Sequence, residues 1–234
     1  MFNKIKLTFY RIREILAEGN LWNLIQTRVF RNKIATPVEM DLTTLPPQRN
    51  IGQDTEYKFI ELKLTDLQST KWDFPISSRR VKALQNLKMG WRNFAVVKDS
   101  TVVGDVWCIT FNRGMVHHDH PDLKMLGIHW GEGEAYAFDM LIHPTHRGKN
   151  LTAPLHRFLQ LTLKNEGYRK VYGYYWNDNL PALWMHRMLK FHELPKRRVS
   201  RFFFLIQSSL VNQTDSILKD SKEDSSKKSL EEKS

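Results

Sequence analysis

The chain has a single cysteine, Cys108, among its 234 residues. One thiol allows no internal disulfide framework and no cysteine cage for zinc, which fits a reducing compartment. No apolar run approaches the ~20 residues that cross a bilayer. Lys4, Lys6, Arg11, Arg13 and Glu14 interrupt the stretch that a secretory leader would need. The location expected is therefore cytoplasmic. No internal repeat is visible, and no GxxxxGK[ST] spacing occurs, which disfavours nucleotide hydrolysis. Acidic residues are also in deficit. With 25 Asp and Glu against 36 Lys and Arg, the formal net charge is +11. Such a balance points to anionic company: nucleic acid, a membrane surface or a phosphorylated cofactor.

Hydrophobic patterning divides the chain. Phe2, Ile5, Phe9, Ile12 and Leu16 recur at helical spacing, and Leu21, Leu24, Ile25 and Val29 continue the stripe beyond Gly19-Asn20. Residues 1–35 thus read as a basic amphipathic helical extension. Residues 1–33 either make peripheral contact with an anionic membrane or pack on the rest of the protein or another subunit. Pro37, Pro46, Pro47 and Gly52 make 36–55 read as a linker. Residues 209–234, rich in Ser, Lys, Asp and Glu from Asn212 and without an aromatic residue, read as a solvated tail.

Between these flanks, 56–208 reads as one domain. Tyr57–Leu64 is strand-like, and Ser77 or Ser78 is placed to cap a helix that Gly90 stops. Lys98-Asp99-Ser100 is a hairpin turn. In the strand Glu134–His143, alternation puts Tyr136, Phe138, Met140 and Ile142 on one face and Asp139, Leu141 and His143 on the other. A helix follows from Thr152, then a strand Val171–Trp176, a helix opened by Asn177-Asp178-Asn179, and a final strand Arg201–Ile206. Hairpins mixed with crossovers predict an α/β domain on a mixed sheet.

The chemistry concentrates in Leu141-Ile142-His143-Pro144-Thr145-His146-Arg147-Gly148-Lys149-Asn150-Leu151-Thr152. A strand ends, a basic glycine-containing loop follows, and a helix starts. Main-chain N–H groups of the loop and first helical turn, with Arg147 and Lys149, form an anion site suited to a pyrophosphate. Downstream, Asn179, Ala182 and His186 share one helical face. His117-His118-Asp119-His120 is bunched in one loop without a spaced partner pair, so no metal site is expected.

From about Tyr57 to Phe204 the sequence resembles the GNAT acyltransferase superfamily. The family's Arg/Gln-x-x-Gly-x-Gly/Ala loop is matched at Pro144, Arg147 and Gly148, with Asn150 and Thr152 at its two later small-residue positions. Asn accepts a left-handed backbone better than most residues, and Thr152 is placed to cap the helix. The family's Asn-x-x-Ser/Ala-x-x-x-Tyr-x-x-x-Gly-Phe pattern is matched at Asn179, Ala182 and Phe191, with His186 at the Tyr position and Lys190 at the Gly position.

The resemblance implies a GNAT-like, largely antiparallel sheet flanked by helices, and acyl transfer from acetyl-CoA to a small-molecule or peptide amine. An amino sugar or cell-envelope precursor is one acceptor it allows. It assigns the donor to Leu141, Ile142, His143, Arg147, Gly148, Lys149, Asn150, Leu151, Thr152, Ala153 and Asn179. Backbone amides near Leu141 and His143 would meet the oxyanion. His186, as imidazolium, would protonate the departing thiolate, and Asp139 is the candidate base. The loop Asn112–Glu132, with Trp107 and Trp130, would border the acceptor site. Two rival readings are a basic module for nucleic acid, which is not expected because no binding motif appears, and a homologue that binds acyl-CoA without catalysis.

Overall fold

The computed structural model describes residues 30–46, 56–69, 71–111, 120–202 and 205–211. Most of the basic helical extension, and the tail from Asn212, lie outside these residues. So do His117, His118 and Asp119.

In chain order the elements are β1 (Phe30–Asp41), β2 (Lys58–Leu62), α1 (Leu64–Gln68), α2 (Ser77–Lys88), β3 (Arg92–Lys98) and β4 (Thr101–Thr110). Then come α3 (Pro121–Leu126), β5 (Glu134–Ile142), α4 (Thr152–Asn165), β6 (Lys170–Trp176), α5 (Leu180–Met188), β7 (His192–Glu193), β8 (Arg197–Phe202) and β9 (Leu205–Leu210). The strands form one sheet in the order β2-β3-β4-β5-β6-β1-β8-β9, with β7 also on β1. Every pairing is antiparallel except β5 with β6. The expected α/β class and largely antiparallel sheet are observed. No described helix is long and apolar enough to cross a membrane.

Helices cover both faces. Leu155, Leu159 and Leu163 of α4 are fully buried against Val38, Phe94 and Val96, and α5 adds Met185 to that face. Burying each leucine is worth roughly 1.5–3 kcal/mol. On the other face Leu67 of α1, Ala83 of α2 and Leu123 of α3 pack on Ala95, Trp107 and Tyr136. Trp107 is thus a core residue, not an exposed wall of an acceptor site. Trp130 packs edge-on to Phe111 at the margin of the same cluster. The β3–β4 hairpin turns on Asp99 (φ 46°) and Ser100 (φ 61°), both left-handed, as a two-residue turn of this twist requires.

Several expectations are corrected. Residues 30–35 are strand, not helix, and the linker reading fails at its start. Thr36–Asp41 belong to β1, which runs through the middle of the sheet with Ala35, Val38 and Met40 buried. Pro37 had argued for a break, since proline cannot donate to a ladder. It falls in a gap between partners: β8 pairs only as far as Ala35, and β7 begins at Val38. The Pro37 carbonyl still accepts the Leu194 N–H at 2.9 Å. Neither Ser77 nor Ser78 is the helix cap; Ile76 holds that position without a side-chain bond. The single closing strand is a hairpin, β8 with β9, which carries the fold to Leu210.

Candidate active site

β5 and β6 run parallel only from Glu134 opposite Lys170 to Tyr136 opposite Tyr172. Beyond that β5 stays with β4 and β6 stays with β1. The two strands therefore diverge, and a wedge opens in the sheet. It forms a cleft of about 1020 Å³, flanked by the N-terminal ends of α4 and α5. Asp139, Leu141 and Ile142 line it from β5; Arg147, Gly148, Asn150, Leu151, Thr152 and Ala153 line its rim. Asn179 and His186 line it from the α5 side, whereas His143 and Lys149 are not part of its wall.

The rim presents main-chain N–H groups without backbone partners among the described residues. Gly148 (φ 78°) and Asn150 (φ 58°) are both left-handed, so Asn150 does adopt the backbone that a glycine would. Among the described residues, no backbone carbonyl takes the N–H of Gly148, Lys149, Asn150 or Leu151. Thr152 is the first residue of α4 and does not cap it; Leu151 precedes it without a side-chain acceptor. The amides of the first turn thus remain open. Arg147 is tied back by its Nε to the Ile142 carbonyl at 3.3 Å. Asn179 caps α5 by accepting the Ala182 N–H at 3.2 Å.

The wall opposite α5 is irregular. On β5, Trp107 faces Phe138 and Asp105 faces Leu141, so Asp139 and Met140 drop out of the ladder, with Asp139 at φ 51°. This bulge resets the alternation. Tyr136 and Phe138 pack with α2 and α3, but Met140 and Ile142 join the α4 face, contrary to the shared face expected from simple alternation. The His143 amide is not free for an oxyanion either, since it donates to Val103 O at 2.8 Å.

Two histidines face each other across the base of the cleft. His186 is buried, and its Nδ1 lies 2.7 Å from Ala182 O. A carbonyl only accepts, so Nδ1 carries the proton and Nε2 is bare. Burial lowers the His186 pKa, and the Ala182 bond offsets this only in part. The ring is therefore neutral near pH 7 rather than the imidazolium expected. His156 of α4 lies 5.7 Å away, ring to ring, and its Nδ1 has no partner among the described residues. Burial, with a smaller contribution from His186, pushes its pKa down to about 3.

Asp139 is heavily engaged. Its carboxylate accepts from Arg79 Nη1 at 3.0 Å and pairs with Lys82. Burial would raise its pKa, but the two cations more than offset this and leave it lowered. A carboxylate so held is a weak proton acceptor. Cys108 is buried in the core and its thiol is pushed up to about 12, which leaves no thiolate for covalent catalysis. Among the described residues no cluster could hold a metal ion. His120 sits between Trp91, Tyr136 and Phe138.

No protein-family model matches the sequence, and no curated protein matches it. Solved structures do. A region of a fungal multi-domain GH3 β-N-acetylglucosaminidase, described as a GCN5-related glucosamine N-acetyltransferase, aligns with TM-score 0.52 at 13% identity. That alignment covers 82% of this chain and 22% of the fungal one. The fold is GNAT-like. A GNAT-family acetyltransferase from Colwellia psychrerythraea aligns at TM-score 0.47 and 12% identity, over 74% of this chain and 56% of that one. A GCN5-related N-acetyltransferase from Sphaerobacter thermophilus gives 0.47 and 11%, over 81% and 55%. This chain spans little more than half the length of those two bacterial proteins.

Within the GNAT-like fold, the sequence reading missed His156 and Gly173 in the cleft wall and, behind that wall, the Arg79 and Lys82 that hold Asp139. Gly173 stands inside a strand, where a Cβ would make only ordinary contact, 3.5 Å from Ala137 O and 3.8 Å from His186 Nε2, so its place beside His186 is known from the structure alone.

The left-handed rim is testable through stability. Asn150→Val should cost about 1–2 kcal/mol, because a β-branched side chain resists that backbone, whereas Asn150→Gly should cost nothing. Urea denaturation compares the two.

Proposed function

We propose that this chain is an acyl-CoA-dependent N-acyltransferase, with acetyl-CoA as donor and an amine as acceptor. The observation that carries the reading is the wedge between β5 and β6, with unpaired amides at its rim beside Arg147. The amides of Gly148 through Ala153, with Arg147, would hold the pyrophosphate, and Lys149, outside the cleft wall, would add positive charge near it. The diverging strands would admit the pantetheine arm, and Asn179 would flank it.

Direct transfer forms the amine N–C bond and breaks the thioester C–S bond. The nitrogen must lose a proton and the sulfur must gain one. Bare Nε2 of His186, facing Gly173 at the fork of the strands, would take the first and return it to the second. The oxyanion would meet the Met140 N–H, since Met140 has no register partner on β4. Asp139 would act through charge, holding the wall rather than removing a proton.

Calorimetry with acetyl-CoA tests donor binding. Arg147→Ala with Lys149→Ala should weaken it about tenfold or more, since removing both cations beside the rim should cost at least ~1.4 kcal/mol. A thiol-release assay over an amine panel tests transfer. Amino sugars come first, because the fungal region is described as acting on glucosamine. A protein that binds no acyl-CoA would sink the reading.

A further inference from the structure

The bulge in β5 puts Asp139, which has a side chain, in a left-handed backbone and leaves two residues without ladder partners. Such a conformation persists only where its surroundings hold it. The holder is Arg79 of α2. Its Nε donates to Asp105 Oδ1 at 2.7 Å, its Nη1 to Asp139 Oδ1 at 3.0 Å, and its Nη2 to the Asp139 backbone carbonyl at 2.6 Å. Asp105 is 1% exposed, and its second oxygen accepts from Asn93 Nδ2 at 2.9 Å. Lys82, three residues further along α2, pairs with Asp139.

A guanidinium is planar and rigid, so three bonds to two strands leave it little freedom. The peptide between Asp139 and Met140 is trans. Its carbonyl points to Arg79, so its N–H points the opposite way, away from α2 and towards the cleft that Met140 lines.

The geometry points to Arg79 as a positioning residue: by gripping the Asp139 carbonyl, it fixes the rotation of the Asp139–Met140 peptide and aims the Met140 N–H at the acyl carbonyl of the bound thioester. The inference rests on the acyl-transfer reading above. It adds that the oxyanion donor is set from the far side of the sheet, by a residue that touches neither donor nor acceptor.

The test is difference infrared spectroscopy of carbonyl-labelled acetyl-CoA bound to the full chain. In the wild type the labelled carbonyl band should lie below its position in free acetyl-CoA. Arg79→Lys keeps the charge but loses the fork, so the band should return towards the free position. CoA itself has no acyl carbonyl, and its affinity should stay within about twofold. Should that variant fail to fold, Arg79→Gln combined with Asp105→Asn removes both buried charges together and should give the same return. A band displaced equally in wild type and variant overturns the inference, and so does a wild-type band that is not displaced. If the wild type binds no acetyl-CoA, the acyl-transfer reading itself falls and takes this one with it.

Discussion

Substituting His186 with Gln should slow thiol release about 100-fold or more while leaving acetyl-CoA affinity nearly unchanged. The amide nearly fills the space of the ring and can keep a bond to Ala182 O, but it cannot carry a proton between nitrogen and sulfur. Loss in kcat without loss in binding is the signature of a group that acts only in the chemical step. The pH profile should agree. Only neutral His186 offers a lone pair at Nε2, and burial lowers its pKa. The loss of rate that protonation of His186 causes should therefore set in at a lower pH than for an ordinary histidine. Unaltered turnover in the variant would remove His186 from the mechanism.

His156 should make the protein acid-sensitive. Its pKa falls from an ordinary 6.5 to about 3 on folding, chiefly through burial and then through His186. Between these values the unfolded chain binds a proton that the folded chain refuses. Stability is therefore full above pH 6.5 and declines as pH drops towards 3, by about 1.4 kcal/mol per unit from this one group. His156→Leu removes the proton site while keeping much of the bulk. Denaturant titrations should show a shallower loss of stability for the variant over this window. Parallel curves would mean that His156 accepts its proton in the folded state, through an arrangement unlike the one described.

Local signals explain most of what the sequence revealed. The loop from Leu141 to Thr152 is a contiguous strand–turn–helix, so neighbouring residues in the chain are neighbours in the site. The left-handed tolerance of Asn150 is a property of that side chain and is seen in the backbone. The errors came where a partner lay far away. Pro37 looked like a break because nothing local shows that its two edge partners leave a gap. The face of Met140 was misassigned because a one-residue slip against β4 inverts everything after it. His186 was read with a free imidazole's charge, although its burial depends on Tyr175, Phe191 and His156.

By itself, then, the amino-acid sequence determined the order of the main strands and helices from β2 through α5, without the short helices α1 and α3, together with the basic rim loop and the lack of an internal disulfide or a cysteine cage for zinc, since each depends on residue type or on short spacing. Tertiary structure decided the central place of β1, the bulge at Asp139, its clamp by Arg79 across 60 residues of chain, and the neutral state of both cleft histidines. Those features arise from long-range strand pairing and from desolvation, and neither has a value until distant segments meet.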